Sequence, residues 1–309
     1  MATTNISDEK QNYAKPFQDL FCSLDKATAI HGQLTFIAVL NAFLSITAVL
    51  GNVLALVALR KDSSLHPPSK LLLRGLAVTD LCTGLFSEPL CVTLLLTVVN
   101  DHLNICRYVS VAVYAIGTIL TYASLLTLTA ISVDRLLALL LGLRYRHVVT
   151  LKRARLIIIT FWVLSAGFAT MRVFWNYHKT SKYGVLVTSL CLVTSTFSHT
   201  KIFLSFRRHH SQVQHHVQQP NPTNQLNIAR FRKAVSTTLW LQFTLIVCYL
   251  PLVILSGLYK EPCSSLNLAV SYAITLVFLN SSLNPILYCW KIDEVRQAMK
   301  GTIRQILCC

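Results

Sequence analysis

The sequence predicts an all-α integral membrane protein: a seven-transmembrane helix bundle with a short amphipathic eighth helix. Of its 309 residues, 53% are hydrophobic and 13% are charged, whereas soluble domains carry roughly 25% charged residues. The chain also contains seven mainly apolar runs long enough for a helix to cross a bilayer. We place these spans at residues 34–59, 71–99, 107–140, 154–175, 184–206, 234–258 and 265–290.

Basic residues predict how the chain lies in the membrane. Most Lys and Arg fall after spans one, three, five and seven, and such clusters are typical of cytoplasmic loops. We therefore expect a multi-pass plasma membrane protein with an extracellular N-terminus and a cytoplasmic C-terminus. Its parts are an extracellular segment 1–33, the bundle 34–290, and a cytoplasmic amphipathic helix and tail 291–309. The net charge of +16 then reflects loop placement, and no nucleic-acid partner is predicted.

Polar side chains inside the spans are the first candidates for a functional site, because they are costly against lipid and should face the bundle interior. Asp80 lies at mid-depth in span two, where a carboxylate needs a cation or a proton. Hydroxyl and amide oxygens around it predict a small-cation site of the oxygen-ligand kind. The alternative is a protonated, structural Asp80 bonded to Asn52 and Asn284. The other polar candidates are Ser124 in span three and Asn280 and Ser281 in span seven.

An adjacent acid and base, Asp134 and Arg135, close the long apolar run of span three. Their cost against lipid places them at the water boundary, facing into the bundle. Pro251 in span six and Pro285 in span seven each remove a backbone hydrogen bond and permit a kink. We interpret the acid–base pair as a switch and the two prolines as hinges.

Six of the spans each contain one short motif. In their order and spacing these motifs resemble those of the rhodopsin-like (class A) G-protein-coupled receptors. The resemblance covers about residues 34–304. The matching residues are Gly51-Asn52-Val53-Leu54, Leu76-Ala77-Val78-Thr79-Asp80, Asp134-Arg135, Trp162, Cys248-Tyr249-Leu250-Pro251 and Asn284-Pro285-Ile286-Leu287-Tyr288.

The resemblance implies a receptor and not an enzyme. An extracellular ligand would signal to a heterotrimeric G protein by outward movement of span six, with arrestin as a further partner. Asp134 would hold Arg135 at rest, Arg135 would face the G protein once span six moves, and Tyr288 would rotate inward. Asp80, Ser124, Asn280, Ser281 and Asn284 match the family's internal sodium pocket, so a sodium ion is expected as an allosteric modulator and no other cofactor.

Departures from the family pattern are also informative. Leu136 replaces the usual Tyr after Asp-Arg, and Phe231 stands where many members place an acid that faces the arginine. The contact between that acid and Arg135 is therefore missing, and its absence predicts basal signalling. Ser110 replaces the usual cysteine of span three, and the short loop before span five has none. In lacking these features the chain is similar to the subgroup of melanocortin, cannabinoid, lysophospholipid and adenosine receptors. Residues 195–199 resemble the melanocortin pattern.

The resemblance also implies a mostly apolar ligand pocket between the outer halves of the spans. Gly117 stands where amine receptors carry an acid, and Phe278 where opsins carry a lysine, which disfavours amine and retinal ligands. A small molecule, a lipid or a peptide remains open. Glu88 and Arg172 could orient a charged end of the ligand, or could instead snorkel to the interface. The predicted pocket residues are Glu88, Gly117, Thr118, Thr121, Tyr249, Ile274 and Phe278.

Cysteines and one short motif predict covalent features. The outer side is oxidising and favours a Cys22–Cys263 disulfide, with Cys22–Cys106 as the alternative. Cys308 and Cys309 follow the amphipathic helix, so we expect palmitoylation and contact with membrane lipids there. Asn5 begins a glycosylation acceptor motif.

A second class of function is an ion-coupled transporter or channel that uses Asp80 as its ion site. That class predicts internal repeats or broken helices. No repeat is visible in the sequence, so we rank the receptor first.

Overall fold

A computed structural model describes residues 22, 28–61, 66–174, 177–216, 240, 242–257 and 264–291. Within these ranges the secondary structure is helical, and it confirms the predicted all-α bundle. The eighth helix and tail lie outside the described residues. Span one is Thr28–Lys61; span two is Pro67–Cys82, Thr83–Ser87 and Glu88–Val99; span three is Leu103–Leu141; span four is Leu151–Phe174; span five is Tyr177–His216; span six includes Gln242–Gly257; span seven is Ser264–Lys291.

Length and composition allow most of these helices to cross a membrane. Five described helical segments are long and apolar enough, while Gln242–Gly257 is apolar but shorter. Span five carries interleaved Ser, Thr, His and Lys residues and is the most polar. Large apolar side chains such as Phe43, Val163 and Leu190 are exposed on the outside of the bundle. Such a surface suits lipid as the surrounding solvent. The segments that meet the length criterion are Ile30–Arg60, Pro67–Val99, Leu103–Val148, Leu151–Phe174 and Asn267–Ile286.

Span three lies at the centre of the bundle, in contact with spans two, four and five, while span one packs against spans two and seven. One apolar cluster joins spans three, five, six and seven through Leu125, Leu192, Leu245 and Val277. Because four spans meet in this cluster, a shift of span six changes its packing against three others.

The Gly51-Asn52 motif of span one accommodates the proline of span seven. A Cβ atom on Gly51 would lie 3.0 Å from the Pro285 Cγ atom, so glycine permits the close approach of the two spans. Pro285 has no N–H to donate to the carbonyl four residues earlier, which belongs to Ser281. Asn52 Nδ2 donates to that Ser281 oxygen at 3.1 Å and to the Ala48 oxygen at 2.8 Å. The motif therefore replaces the hydrogen bond that Pro285 removes.

Span two contains a π-helical turn, Thr83–Ser87, which the sequence did not predict. Gly84 lies inside it, and a Cβ atom there would lie 3.0 Å from side-chain carbons of Ala48 and Val49. The Ser45 hydroxyl donates to the Gly84 carbonyl at 2.7 Å. A π turn adds a residue to the helical register, so the residues beyond it are rotated relative to an uninterrupted helix.

The disulfide joins Cys22 to Cys106, with their Cα atoms 6.0 Å apart. The preferred pairing of Cys22 with Cys263 was therefore wrong, and the alternative is observed. Both bonded cysteines are buried in one apolar cluster with Leu34 and Leu94. This packing brings Cys22 to the start of span three. Cys263 lies outside the described residues.

We predict that digestion of the unreduced protein releases a linked peptide pair containing Cys22 and Cys106. Cys22→Ser and Cys106→Ser should lower the temperature of thermal unfolding by similar amounts, because each breaks the same bond. Cys263→Ser is the control and should change neither the linkage nor the unfolding temperature. A linked peptide pair containing Cys22 and Cys263 would contradict the observed connectivity.

Candidate functional site

The first part of the site is the Asp80 carboxylate, which is fully buried (0% exposed). Ser124 and Ser281 donate to its Oδ1 atom at 3.1 and 2.9 Å, and Asn284 donates to Oδ2 at 2.8 Å. The donors come from spans three and seven, so three spans meet at one carboxylate. A carboxylate and two hydroxyl oxygens form an oxygen-ligand set that suits a small hard cation.

Two of the expected neighbours of Asp80 do not bond to it. Asn52 donates to the Ala48 and Ser281 carbonyls instead. Of the two partners expected for a structural Asp80, Asn284 therefore bonds to it and Asn52 does not. Asn280 is buried, and its Nδ2 atom has no hydrogen-bond partner in the described part of the chain. The structure thus brings Asp80, Ser124, Ser281 and Asn284 together, and leaves Asn280 outside their hydrogen-bond network.

The second part of the site is a cavity of about 180 Å³ between spans two to seven. Of the seven residues predicted to form a ligand pocket, six line it. Whether they bind a ligand stays a prediction. The six are Gly117, Thr118, Thr121, Tyr249, Ile274 and Phe278.

Glu88, the seventh predicted pocket residue, does not line this cavity. Its side chain is fully buried, and neither carboxyl oxygen has a hydrogen-bond partner within the described ranges. The preceding π turn gives the physical reason. Ser87, the last residue of the turn, and Cys91 line the cavity, whereas Glu88 between them lies in the packed interior.

Arg172 of span four lines the cavity and contacts two aromatic rings. Its guanidinium carbon lies 4.4 Å from the ring centroid of Tyr114 and 5.8 Å from that of Phe168. Tyr114 belongs to span three, so this contact directs the cation into the bundle. Cation–π contacts of this geometry are favourable, and more so when they are partly shielded from water.

Tyr249 connects the cavity to the Asp80 carboxylate. It lines the cavity and contacts Ser124, whose hydroxyl donates to Asp80. Tyr249 belongs to span six and is packed in the cluster that joins spans three, five, six and seven. A ligand in the cavity could thus act on span six and on the buried carboxylate through a single side chain.

The third part of the site is Asp134, near the opposite end of span three from Cys106. Ser69 donates to one carboxylate oxygen at 2.8 Å and Tyr145 to the other at 2.6 Å. The two hydroxyl oxygens are also 3.0 Å apart. This closed triad links span two, span three and the short helix Tyr145–Val148.

The expected resting pair of Asp134 with Arg135 is not formed. Asp134 is buried in the hydroxyl triad, whereas Arg135 is exposed. The structure gives the reason, because the hydroxyls of Ser69 and Tyr145 donate to both carboxylate oxygens of Asp134. Sequence reasoning missed Ser69 and Tyr145, since no motif marks either of them.

Several other predictions about individual residues stay untested. Pro251 and Pro285 both lie within helices, and their hinge role stays a prediction. The backbone at Tyr288 is helical, but its side chain is outside the description. Asn5, Cys308 and Cys309 lie in undescribed segments.

Comparison with known proteins bears directly on the identity of this bundle. The sequence model of the family described as 7 transmembrane receptor (rhodopsin family) matches residues 51–288, more than half of the chain. The chain belongs to this family. The match runs from the Gly51-Asn52 motif of span one to the end of the Asn284-Pro285 motif of span seven. Family membership confirms the predicted seven-helix receptor fold.

Individual relatives are receptors of two related groups. The chain is 27% identical to melanocortin receptor 5 of Mus musculus over 281 residues, covering 86% of this chain and 82% of that receptor. It is 28% identical to adenosine receptor A2b of Bos taurus over 310 residues, covering 87% of this chain and 90% of that receptor. These matches confirm the predicted subgroup resemblance. The protein is a signalling receptor and not an enzyme, and it is a multi-pass protein of the plasma membrane.

We predict that Tyr145→Phe destabilises the protein by about 1.5–3 kcal/mol, because it removes a hydrogen bond to a buried carboxylate. Ser69→Ala should have an effect of the same order. Thermal unfolding of the purified protein in detergent measures both. The control is Tyr108→Phe, which removes the hydroxyl of an exposed tyrosine and should leave stability unchanged. Equal stability of Tyr145→Phe and the wild type would show that the triad contributes nothing.

Proposed function

We propose that this receptor couples an extracellular ligand to a heterotrimeric G protein. The contact series from the cavity through Tyr249 and Ser124 to Asp80 carries the proposal. A ligand that contacts Tyr249 differently in two positions of span six shifts the population between them. Outward movement of the inner half of span six would then expose a surface beside Arg135 to the G protein.

The orientation of the chain follows from the same proposal. Basic loop residues favour a cytoplasmic location for the Arg135 end of the bundle, and the Cys22–Cys106 disulfide would then lie at the extracellular end. Under this orientation the ligand cavity opens toward the outside. The contacts of Tyr145 and Ser69 with Asp134 then lie at the cytoplasmic face.

Basal signalling is part of the proposal. In many members of the family an ion pair restrains the arginine at rest, whereas here Arg135 is exposed and Asp134 is occupied by two hydroxyls. Phe231, which replaces the family's acid in span six, supplies no charge. Less energy is therefore needed to free Arg135, so a fraction of the unliganded receptor is active.

The ion-coupled transporter or channel is not favoured, because the curated relatives are receptors. The receptor proposal also includes recruitment of arrestin and glycosylation at Asn5. It further includes palmitoylation at Cys308 and Cys309 and contacts of residues 291–309 with membrane lipids.

We also propose that a sodium ion modulates the receptor at Asp80. The carboxylate and the hydroxyls of Ser124 and Ser281 would hold the ion, which would supply a positive charge to the buried acid. Asn284 and the nearby Asn280 complete the candidate set. Because Ser124 also contacts Tyr249, ion binding would stabilise one position of span six.

We predict that the purified receptor accelerates nucleotide exchange on a heterotrimeric G protein without added ligand. Arg135→Ala should reduce the rate to that of the G protein alone, because it removes the cation that faces the transducer. Binding of a non-hydrolysable GTP analogue gives the measurement. Arg155→Ala removes an exposed arginine from the same end of the bundle and should keep most of the activity. Unliganded exchange equal to the receptor-free rate would refute basal coupling.

We predict that sodium raises the unfolding temperature when it replaces choline at constant ionic strength. A ligand at about ten times its Kd stabilises the native state by about 1.4 kcal/mol. Asp80→Asn should abolish the sodium-specific increase, because it removes the charged ligand, while Asp101→Asn should retain it. An equal sodium response in wild type and Asp80→Asn would exclude this site.

A further inference from the structure

The charge pattern of the cavity wall restricts the ligand. Arg172 is the only charged residue among the described residues that line the cavity, and none of these residues is acidic. Glu88 is fully buried away from the cavity. The described part of the wall therefore offers one positive charge and no counter-charge for a cationic ligand group.

Arg172 is available to bind an anion from within the bundle. Its side chain lines the cavity and is only partly buried, so the guanidinium is accessible from the cavity. The stack on Tyr114 at 4.4 Å holds the planar guanidinium, whose fork of donors matches a carboxylate or phosphate.

Hydroxyl groups gather at the Arg172 end of the cavity. Tyr122 contacts Thr188 of span five, and both line the cavity with Ser181. A Cβ atom on Gly184 would lie 2.6 Å from the Tyr122 hydroxyl, so glycine leaves the space that this tyrosine occupies. An anionic head group at Arg172 would find these hydroxyls as additional donors.

The remainder of the cavity is mainly apolar, with some Ser and Thr hydroxyls in its wall. Its volume of about 180 Å³ is below the 300–1,000 Å³ usual for sites of drug-sized ligands. A small volume of this kind favours a slender ligand chain over a bulky ligand. The apolar lining residues include Leu94, Leu95, Val113, Leu252, Ile274 and Phe278.

We propose that the ligand is an amphipathic molecule with one acyl or alkyl chain and one anionic head group, held by Arg172. This inference rests on the proposed function, which places the ligand in this cavity. The head group pairs with the guanidinium between spans three and four. The chain extends along the apolar wall toward Tyr249, where it contacts span six.

The test compares head groups on one chain. Full-length receptor is reconstituted in phosphatidylcholine nanodiscs, and a fluorescent fatty acid is displaced by laurate, lauryl phosphate, methyl laurate, lauryl alcohol or dodecylamine. The two anions should compete roughly ten- to hundredfold better than the ester and alcohol, in line with a charge-assisted hydrogen bond. Laurate against lauryl phosphate separates a fatty-acid-like from a lysophosphatidate-like head group. Receptor-free nanodiscs correct for partition into lipid.

Variants then assign the preference to one residue. Arg172→Gln should remove the difference between anionic and neutral competitors, and Arg172→Lys should retain part of it. Lys182→Gln is the matched control, because Lys182 is exposed one residue from Ser181 and does not line the cavity. The comparison of head groups on the wild type needs no variant, so a poorly folded Arg172→Gln protein leaves the proposal testable.

The outcomes separate this inference from the proposed function. Preferential binding of dodecylamine, equal binding of all head groups, or an unchanged preference in Arg172→Gln would each overturn the ligand class. If nucleotide exchange on the G protein depends on Arg135 but the receptor shows no preference for anionic competitors, the ligand class is overturned and the proposed coupling is not. Anion-selective binding that Arg172→Gln abolishes supports the inference even if no G protein responds, and that result would count against the coupling.

Discussion

A carboxylate in the middle of a bilayer needs partners, and the arrangement of this bundle reflects that need. Asp80 is fully buried and receives three hydrogen bonds from side chains of spans three and seven. An unsatisfied charge at this depth costs several kcal/mol. Spans two, three and seven are therefore held in one register. Any change in the state of the carboxylate acts on all three spans.

Span seven depends on span one in a second way. Pro285 leaves the Ser281 carbonyl without its helical donor, and Asn52 replaces that donor while Gly51 makes room for the proline ring. Ser281 also donates its hydroxyl to Asp80. The proline, the asparagine and the buried acid thus form one connected unit, which explains why these motifs occur together in a single chain.

Composition and motif order were enough to predict the helical bundle, because each of the seven apolar runs remains recognisable even where single residues within it are polar. The contacts of Ser124, Ser281 and Asn284 with Asp80 were also predictable, since polar residues in membrane-spanning segments converge on the bundle interior. The positions of Asn52 and Asn280 were not, because a buried amide can bond to backbone carbonyls instead. The π turn at Thr83–Ser87 was not, because its energy depends on contacts of Gly84 with span one that no local pattern records. That turn explains why Glu88 was misplaced. The roles of Ser69 and Tyr145 were missed because their side chains are uncharged and therefore do not stand out in the sequence.

The contacts of Asp134 have a consequence for how the anchoring of span three to its neighbours can evolve. An ion pair is an all-or-nothing restraint, because loss of either charge leaves the other uncompensated. Asp134 is instead held by two neutral hydroxyls, which substitution can remove one oxygen atom at a time without altering net charge. Screening by dissolved ions also acts only weakly on such neutral donors. The strength of this anchor between span three, span two and the short helix of Tyr145 could therefore change in small increments across a lineage.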